Sequence, residues 1–488
     1  MPIATTNPST GLEEARFQPH SPEEVDRRLD RARRAVEALR ATTFEERGRW
    51  LRATADLLEA EIDEVAPLLT REMGKPIGQS RAEVQKCARA MRFYADRARE
   101  FLAEEALADP GAVGASRAGT RYEPLGVVLA VMPWNYPLWQ VVRFAAPALM
   151  AGNAGVLKHA SNVPQAALYL DRLFERGGFP AGAFSTLLVG AGEVDAVVAD
   201  RRVAAVTLTG SEPAGRAVGA TAGRQLKKVV LELGGSDPFL VLPSADLPEA
   251  ARVAARARTT NNGQSCIAAK RFVVHEDVYD AFVGLFVEEM RALRVGDPMD
   301  PATDVGPLAT EGGRADVAEL VDDALAQGAK ALLGGEVPEG AGWFYPPTVL
   351  VGVTEAMRIH LEEAFGPVAT VYRVRDLDEA VRVANGTGFG LSSSVWTRDD
   401  GEQEELVRRL EAGAVFVNGM TVSHPELPFG GVKDSGHGRE LAASGIREFC
   451  NLKTVWKARE GEGAPWNETG HERGDDRRRA GIPGRGSR

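Results

Sequence analysis

Cysteine is scarce in this chain: three residues, Cys87, Cys266 and Cys450, among 488. Three thiols cannot build a disulfide framework, so the chain reads as a protein of a reducing compartment. Long apolar runs are missing as well. None approaches the ~18 residues of a membrane span, and the opening MPIATTNPSTGLEEARF holds no apolar stretch of the kind a secretory signal carries. Positive charge is not in excess. The 58 Lys and Arg against 69 Asp and Glu leave −11, which favours solubility and argues against nucleic acid as a main partner. What remains is an ordinary globular composition, 44% hydrophobic and 26% charged, over a length that suits two large domains or more. The expectation is a soluble cytoplasmic protein whose partners are not nucleic acid, membrane or metal.

Helical periodicity opens the chain. Ser21, Pro22 and Glu24 form a start signal for a helix over 22–40, with Val25, Leu29, Ala32, Val36 and Leu39 on one face. A second helix begins after Thr43, with Glu46 three residues on, and keeps an apolar stripe to Leu69 before MGKP at 73–76 ends it. A third covers about 80–105. From 126 the texture changes. The runs at 126–132, 154–158, 184–189, 203–209 and 227–233 read as buried strands, separated by helical lengths at 138–150, 163–177 and 211–222. Such alternation implies βαβ units, a parallel sheet and right-handed crossovers. A second series follows, with strands at 239–242, 271–275, 348–353, 368–374, 391–397 and 414–418. The sheet changes near Leu233–Ser236, where Gly234 and Gly235 break the pattern. Residues 112–125 and 451–458 look like exposed strands in need of a partner. The Gly- and Arg-rich tail from about 459 reads as disordered.

Several residues stand out for chemistry. Cys266 lies in NNGQSCIAAKR, a polar setting after a helix rather than an apolar stripe. It reads as a reachable thiol that needs a lowered pKa or a nearby base to act as a nucleophile; the alternative is a small packing residue, which is the reading for Cys87 and Cys450. Glu232 interrupts the apolar run VVLELGG at a strand's carboxyl end, either as half of a structural ion pair or as a general base raised by burial. Asn135, held between two prolines in PWNYP, offers a fixed amide donor, as an oxyanion site requires, or is a turn residue bonding its own backbone. Gly210 and Ser211 follow a strand and open a helix, a geometry that binds phosphate but that every βα unit shares. Lys158 ends the strand AGVLK. No G-x-G-x-x-G follows any strand of this half, and GAG at 190–192 reads as a plain turn.

Taken together, PWNYP, GNAGVLK, TGS-x-x-x-G, LELGG, GQ-x-C, EEAFGP and PFGGVKDSGHGRE stand in the order found in aldehyde dehydrogenases, with Glu232 34 residues before Cys266 and Glu363 97 after it. The chain resembles that superfamily over about 5–458. The resemblance implies an α/β fold: a Rossmann-like cofactor domain (1–111 and 126–234), an α/β catalytic domain (235–445) and a β-arm for oligomerisation (112–125 and 446–458), ahead of the tail at 459–488. It implies Cys266 as nucleophile, Glu232 as general base, and Asn135 with the Cys266 backbone N–H as the oxyanion hole. Glu363 and Phe365 resemble contacts to the nicotinamide ribose and ring, Lys158 the adenosine-ribose contact, and Ser211 with Gly210 the pyrophosphate contact, with Trp134 near the cleft. The activity implied is oxidation of an aldehyde to an acid through a thiohemiacetal and a thioester, in a homodimer or homotetramer.

Two refinements follow. NAD-preferring members carry a carboxylate three residues after the lysine, where it would bond a free 2′-OH; here that position is Ser161, so NADP is expected as the preferred cofactor with NAD as the alternative. His159 replaces the usual proline. LKHASNVP, LELGGSDPF and GQSCIAAKRF further resemble a bacterial subgroup that oxidises succinate semialdehyde. Its carboxylate needs a cationic or hydroxyl clamp, for which Arg143 is the first choice and Ser423 the second. The rival substrates are glutarate semialdehyde or an aromatic aldehyde. The rival classes are a non-catalytic cofactor-binding protein and a cysteine hydrolase.

Overall fold

The computed structural model describes residues 2–459. These form two compact units, one of 2–102 with 123–451 and one of 103–122 with 452–459. The expected disordered tail lies outside the described residues, apart from Arg459.

In the larger unit two sheets do most of the organising. The first has six strands in the order Gly436–His437, Lys228–Glu232, Val203–Thr209, Val127–Met132, Ala154–His159, Phe184–Thr186. All neighbours run parallel except Gly436–His437, which is antiparallel to its neighbour. The second has seven strands in the order Lys330–Leu333, Thr348–Val351, Val368–Val374, Ala269–His275, Asp237–Val241, Ser393–Trp396, Val415–Val417, with one antiparallel pair at Lys330–Leu333. The chain leaves the first sheet at Glu232 and enters the second at Asp237. Gly234 and Gly235 span the gap.

Burial on both faces explains the continuous apolar runs. In the second sheet Phe239, Val241, Phe272 and Val274 pack into one core with the helices Leu247–Thr259 and Glu276–Arg291. Leu240, Val273, Leu350 and Val395 point the other way, into a core shared with Glu311–Ala326 and Leu377–Asn385. The period of two along each strand sorts these sets.

Three features differ from the sequence reading. The single helix expected after Thr43 is two, Phe44–Ala60 and Ile62–Met73, broken at Glu61. The Glu61 carboxylate is engaged by Tyr169 Oη at 2.9 Å and by Arg176, long-range contacts that no local pattern encodes. The capping box of Thr43 and Glu46 and the Gly74 stop, at φ 80°, are as read. An unforeseen hairpin, Ile3–Asn7 with Leu12–Phe17, opens the chain. Lys330–Leu333 is an edge strand with three exposed positions, too polar-faced to stand out.

The smaller unit is built on a three-stranded sheet in the order Cys450–Ala458, Ala115–Pro124, Glu105–Ala106. The two orphan strands of the sequence thus pair with each other. Ser116 Oγ donates to Ala458 O at 2.8 Å and Trp456 Nε1 to Val113 O at 3.0 Å.

Candidate active site

Four adjacent strands deliver six of the predicted residues, Trp134 among them, to one edge of the first sheet. In sheet order, the carboxyl ends carry Glu232, then Gly210 and Ser211, then PWNYP with Asn135, then Lys158. The register sets Thr209 beside Glu232 and Val131 beside Lys158. The carboxyl edge of a parallel sheet is where ligands bind in open α/β folds.

Cys266 comes to this edge from the second sheet, on the loop between Leu247–Thr259 and Ala269–His275. The loop turns through three consecutive left-handed residues, Asn261, Asn262 and Gly263 at φ 58°, 57° and 74°, which Asn and Gly tolerate best. Its polar residues are buried and bonded inward: Asn262 Nδ2 donates to Gly74 O and Pro307 O, both at 2.9 Å, and Gln264 Oε1 accepts from Ala309 N at 2.9 Å. These bonds hold the backbone of the loop rigid. Cys266 itself is half-buried and lines a cavity of about 640 Å³. Burial pushes its thiol up to about 12, with Arg143 and Lys270 acting against the rise. Such a thiol depends on a base rather than on its own acidity. Cys87 and Cys450 are buried packing residues.

Asn135 is tied to the cysteine loop. Its Nδ2 donates to Gln264 O at 3.2 Å, and Asn261 Nδ2 donates to Asn135 O at 2.9 Å and to Gln264 O at 2.9 Å. One amide hydrogen of Asn135 is therefore fixed two residues from the thiol, and the second has no acceptor among the described residues. The segment after it is anchored by a residue the sequence did not flag. Glu83 Oε1 accepts the backbone N–H groups of Leu138 and Trp139 at 2.8 and 2.9 Å, replacing a side-chain cap that the helix Trp139–Ala151 lacks. The other oxygen of Glu83 pairs with Lys75, fully buried. His159, in place of the usual proline, braces the same segment. Its Nε2 donates to Pro137 O at 2.8 Å while Nδ1 accepts from Ala160 N at 2.9 Å, and burial lowers it to about 4, so the ring is neutral.

Glu232 is buried, and neither carboxyl oxygen has a hydrogen-bond partner among the described residues. Burial raises its pKa well above the usual value; the charge of Glu440 adds to the rise, and Arg143 opposes it. The close approach of Gly430, at φ 151°, leaves room for it: a Cβ there would sit 2.7 Å from Glu232 Oε1. Arg143 is not a free clamp. Its Nε pairs with the buried carboxylate of Glu440, Nη2 reaches Thr209 Oγ1 at 3.4 Å, and the guanidinium lies 4.5 Å from the Phe429 ring centre. It does line the cavity with Cys266 and Ser423. Glu440 was not singled out, although it sits inside GHGRE. Removing this guanidinium leaves buried Glu440 without its ion-pair partner, so Arg143→Ala is expected to lose about 3–5 kcal/mol of stability, measured by urea unfolding.

The predicted cofactor residues do not line that cavity. Lys158 is buried, lowered by burial with Glu193 opposing, and makes no ion pair among the described residues. Ser161 is half-exposed, and its carbonyl is held by Ala4 N at 3.0 Å, which gives the opening hairpin a role. No carboxylate stands at position 161. Ser211 occupies the N-cap of Glu212–Arg224, yet its hydroxyl caps nothing, so the first-turn amides keep free donors for an anion. Trp134 and Phe365 meet edge to face at 5.7 Å. Glu363 pairs with Lys270 at 2.9 Å, and a Cβ at Gly234 would collide with its Oε2 at 2.6 Å. An anionic dinucleotide fits this set: a buried cation with no ion pair among the described residues, an uncapped helix start, and the facing rings of Trp134 and Phe365.

Comparison with known proteins agrees. The profile described as "Aldehyde dehydrogenase family" matches residues 1–455. A succinate-semialdehyde dehydrogenase [NADP(+)] of Mycolicibacterium paratuberculosis is 62% identical over 457 residues, 93% of this chain and 97% of its own. Succinate-semialdehyde dehydrogenase [NADP(+)] 1 of Mycobacterium tuberculosis strain H37Rv is 61% identical over 458 residues, 94% of this chain and 100% of its own. Among solved structures, succinic semialdehyde dehydrogenase from Streptococcus pyogenes in complex with NADP+ superposes with a TM-score of 0.90 at 36% identity, covering 93% of this chain and 100% of that one.

Proposed function

The chain belongs to the aldehyde dehydrogenase family, and we propose that it oxidises succinate semialdehyde to succinate with NADP as the preferred cofactor. The observation that carries the reading is the tie between Asn135 and the Cys266 loop through Gln264 O, with the buried, unbonded carboxyl of Glu232 at the same carboxyl edge of the sheet. The high identity to enzymes of that name supports the substrate and the cofactor.

The chemistry follows from the residues. Glu232 takes the proton of the Cys266 thiol, which burial keeps protonated on its own. The thiolate attacks the aldehyde carbon and forms a thiohemiacetal. The free N–H of Asn135 and the Cys266 backbone N–H stabilise the developing oxyanion. Bound NADP supplies the two-electron acceptor for the oxidation. Cys266 is then left as a thioester; once Glu232 has released the thiol's proton to solvent, it draws a proton from the water that attacks the acyl carbon and passes it to the departing thiolate, releasing the acid and the thiol. Lys158, Ser161 and Ser211 with Gly210 would hold the adenosine and phosphates, and Glu363, Phe365 and Trp134 the nicotinamide end. Asn135→Ala is expected to lower turnover about 10²–10³-fold, the usual cost of one oxyanion donor, read in initial rates.

We assign 1–111 and 126–234 to cofactor binding, 235–445 to catalysis, and 112–125 with 446–458 to assembly as a homodimer or homotetramer. Leu452 and Trp456, 55% and 36% exposed, support the last assignment. No helix among the described residues is long and apolar enough to cross a membrane, and a catalytic thiol suits the cytoplasm. The test is a panel of initial rates with NADP and NAD against succinate semialdehyde, glutarate semialdehyde, propanal and benzaldehyde. The expected order puts succinate semialdehyde with NADP first in kcat/KM. A preference for NAD, or for an uncharged aldehyde, would remove that half of the reading.

A further inference from the structure

Lys86, on the helix Ile77–Phe101, lines the same cavity as Cys266. It is a half-buried cation with no carboxylate to neutralise it among the described residues. Glu83, one turn earlier on the same face, is the obvious partner and is already used: one oxygen pairs with Lys75, the other accepts from Leu138 and Trp139. Of the arginines that also line the cavity, Arg143 has Glu440, Arg252 has Glu249, and Arg256 is exposed. Lys86 instead donates to Ser423 Oγ at 2.7 Å and lies 4.2 Å from the centre of the Trp139 ring. Neither contact cancels its charge.

Ser423 completes the picture. Its oxygen accepts from Lys86 and also from Trp139 Nε1 at 3.1 Å, so its own O–H has no acceptor among the described residues. The ammonium keeps further N–H bonds without an oxygen acceptor. One uncancelled charge and two kinds of unfilled donor converge on a single point of the cavity wall. A partly desolvated charge of this kind is costly alone, and a carboxylate satisfies all of it with charge-assisted hydrogen bonds.

We propose that Lys86, together with the Ser423 hydroxyl, binds the carboxylate of the substrate and selects an anionic aldehyde over an uncharged one. Arg143, held by Glu440, serves the acids around Glu232 first. The proposal rests on the reading that the substrate is succinate semialdehyde. Burial lowers the Lys86 ammonium to about 8. Arg143 and Arg89 add to the lowering, Cys87 and Glu83 oppose it, and His424 is the remaining titratable group that feels it. The charged form therefore prevails below about pH 8 and is lost above.

The test compares KM for succinate semialdehyde and for propanal in the full enzyme, in Lys86→Met and in Lys86→Arg. Lys86→Met is expected to raise the ratio of the two KM values about 10–100-fold, the loss of one charged hydrogen bond, and Lys86→Arg to restore most of it. In the unmutated enzyme the ratio rises between pH 7 and 9, and in Lys86→Met it stays flat. Succinate, as an inhibitor of propanal oxidation by the unmutated enzyme, weakens over the same interval; this arm needs no variant to fold. An equal effect of Lys86→Met on both aldehydes, or succinate inhibition independent of pH, would overturn the proposal while leaving the substrate in place. Dependence on Lys86 with glutarate semialdehyde as the better substrate would keep Lys86 and discard succinate semialdehyde.

Discussion

Cys266→Ala abolishes aldehyde oxidation. The expected loss is at least about 10⁴-fold in kcat/KM, since removing the nucleophile of a concerted site leaves little more than binding. The half-buried thiol faces the cavity from a loop whose backbone is fixed by Asn262 and Gln264, so alanine should leave fold and cofactor binding intact. Initial rates of NADPH formation read the first part, and NADP binding by fluorescence titration the second. Residual turnover near one per cent would move the covalent step to another residue. Because burial holds the thiol near 12 without ligands, alkylation of Cys266 in the resting enzyme should also accelerate as pH rises from 7 to 10. A rate already flat at pH 7 would mean a preformed thiolate.

The second large effect falls on Glu232. Glu232→Gln keeps the shape of the side chain and removes the base, and turnover is expected to fall about 10²–10⁴-fold. The loss should fall on both proton transfers, with release of the acid hit hardest, so that rapid-quench measurements find acyl-enzyme accumulating after one turnover. The pH dependence has a defined sign. Burial and Glu440 raise Glu232 above the ordinary glutamate range, so the carboxylate base appears only as pH rises past that raised value. kcat should therefore increase with pH over a range where an ordinary glutamate is already ionised, and that limb should vanish in Glu232→Gln. An unchanged limb would assign it to another group.

Much of this site was legible because it offends local patterns. A carboxylate inside VVLELGG must be paired, or kept neutral by burial, and stands out for that reason, and the strands at 203–209 and 368–374 lie where their apolar-rich runs put them. The cofactor candidates came from the family resemblance, since a capped helix after a strand is common to every βα unit. What stayed hidden depends on partners far apart in sequence. Lys86 stands three residues after Glu83, the spacing of an ordinary helical ion pair, and drew no notice; only the folded chain shows Glu83 given over to Lys75, Leu138 and Trp139. Arg143 looked like a free clamp because its partner Glu440 is almost three hundred residues away. The break at Glu61 has the same origin, in Tyr169 and Arg176. The polar setting of NNGQSC pointed to a reachable thiol, but not to the inward bonds by which those polar groups allow a left-handed turn to be buried.

The central claim is that Cys266 carries the acyl group of the substrate as a thioester. The most direct measurement is intact and peptide mass spectrometry of Glu232→Gln mixed with succinate semialdehyde and NADP and quenched in acid. The account requires an adduct with the mass of one succinyl group, confined to the peptide that holds Cys266, formed only when NADP is present and absent from a variant that also carries Cys266→Ala. No adduct, or an adduct on Cys87 or Cys450, would contradict it.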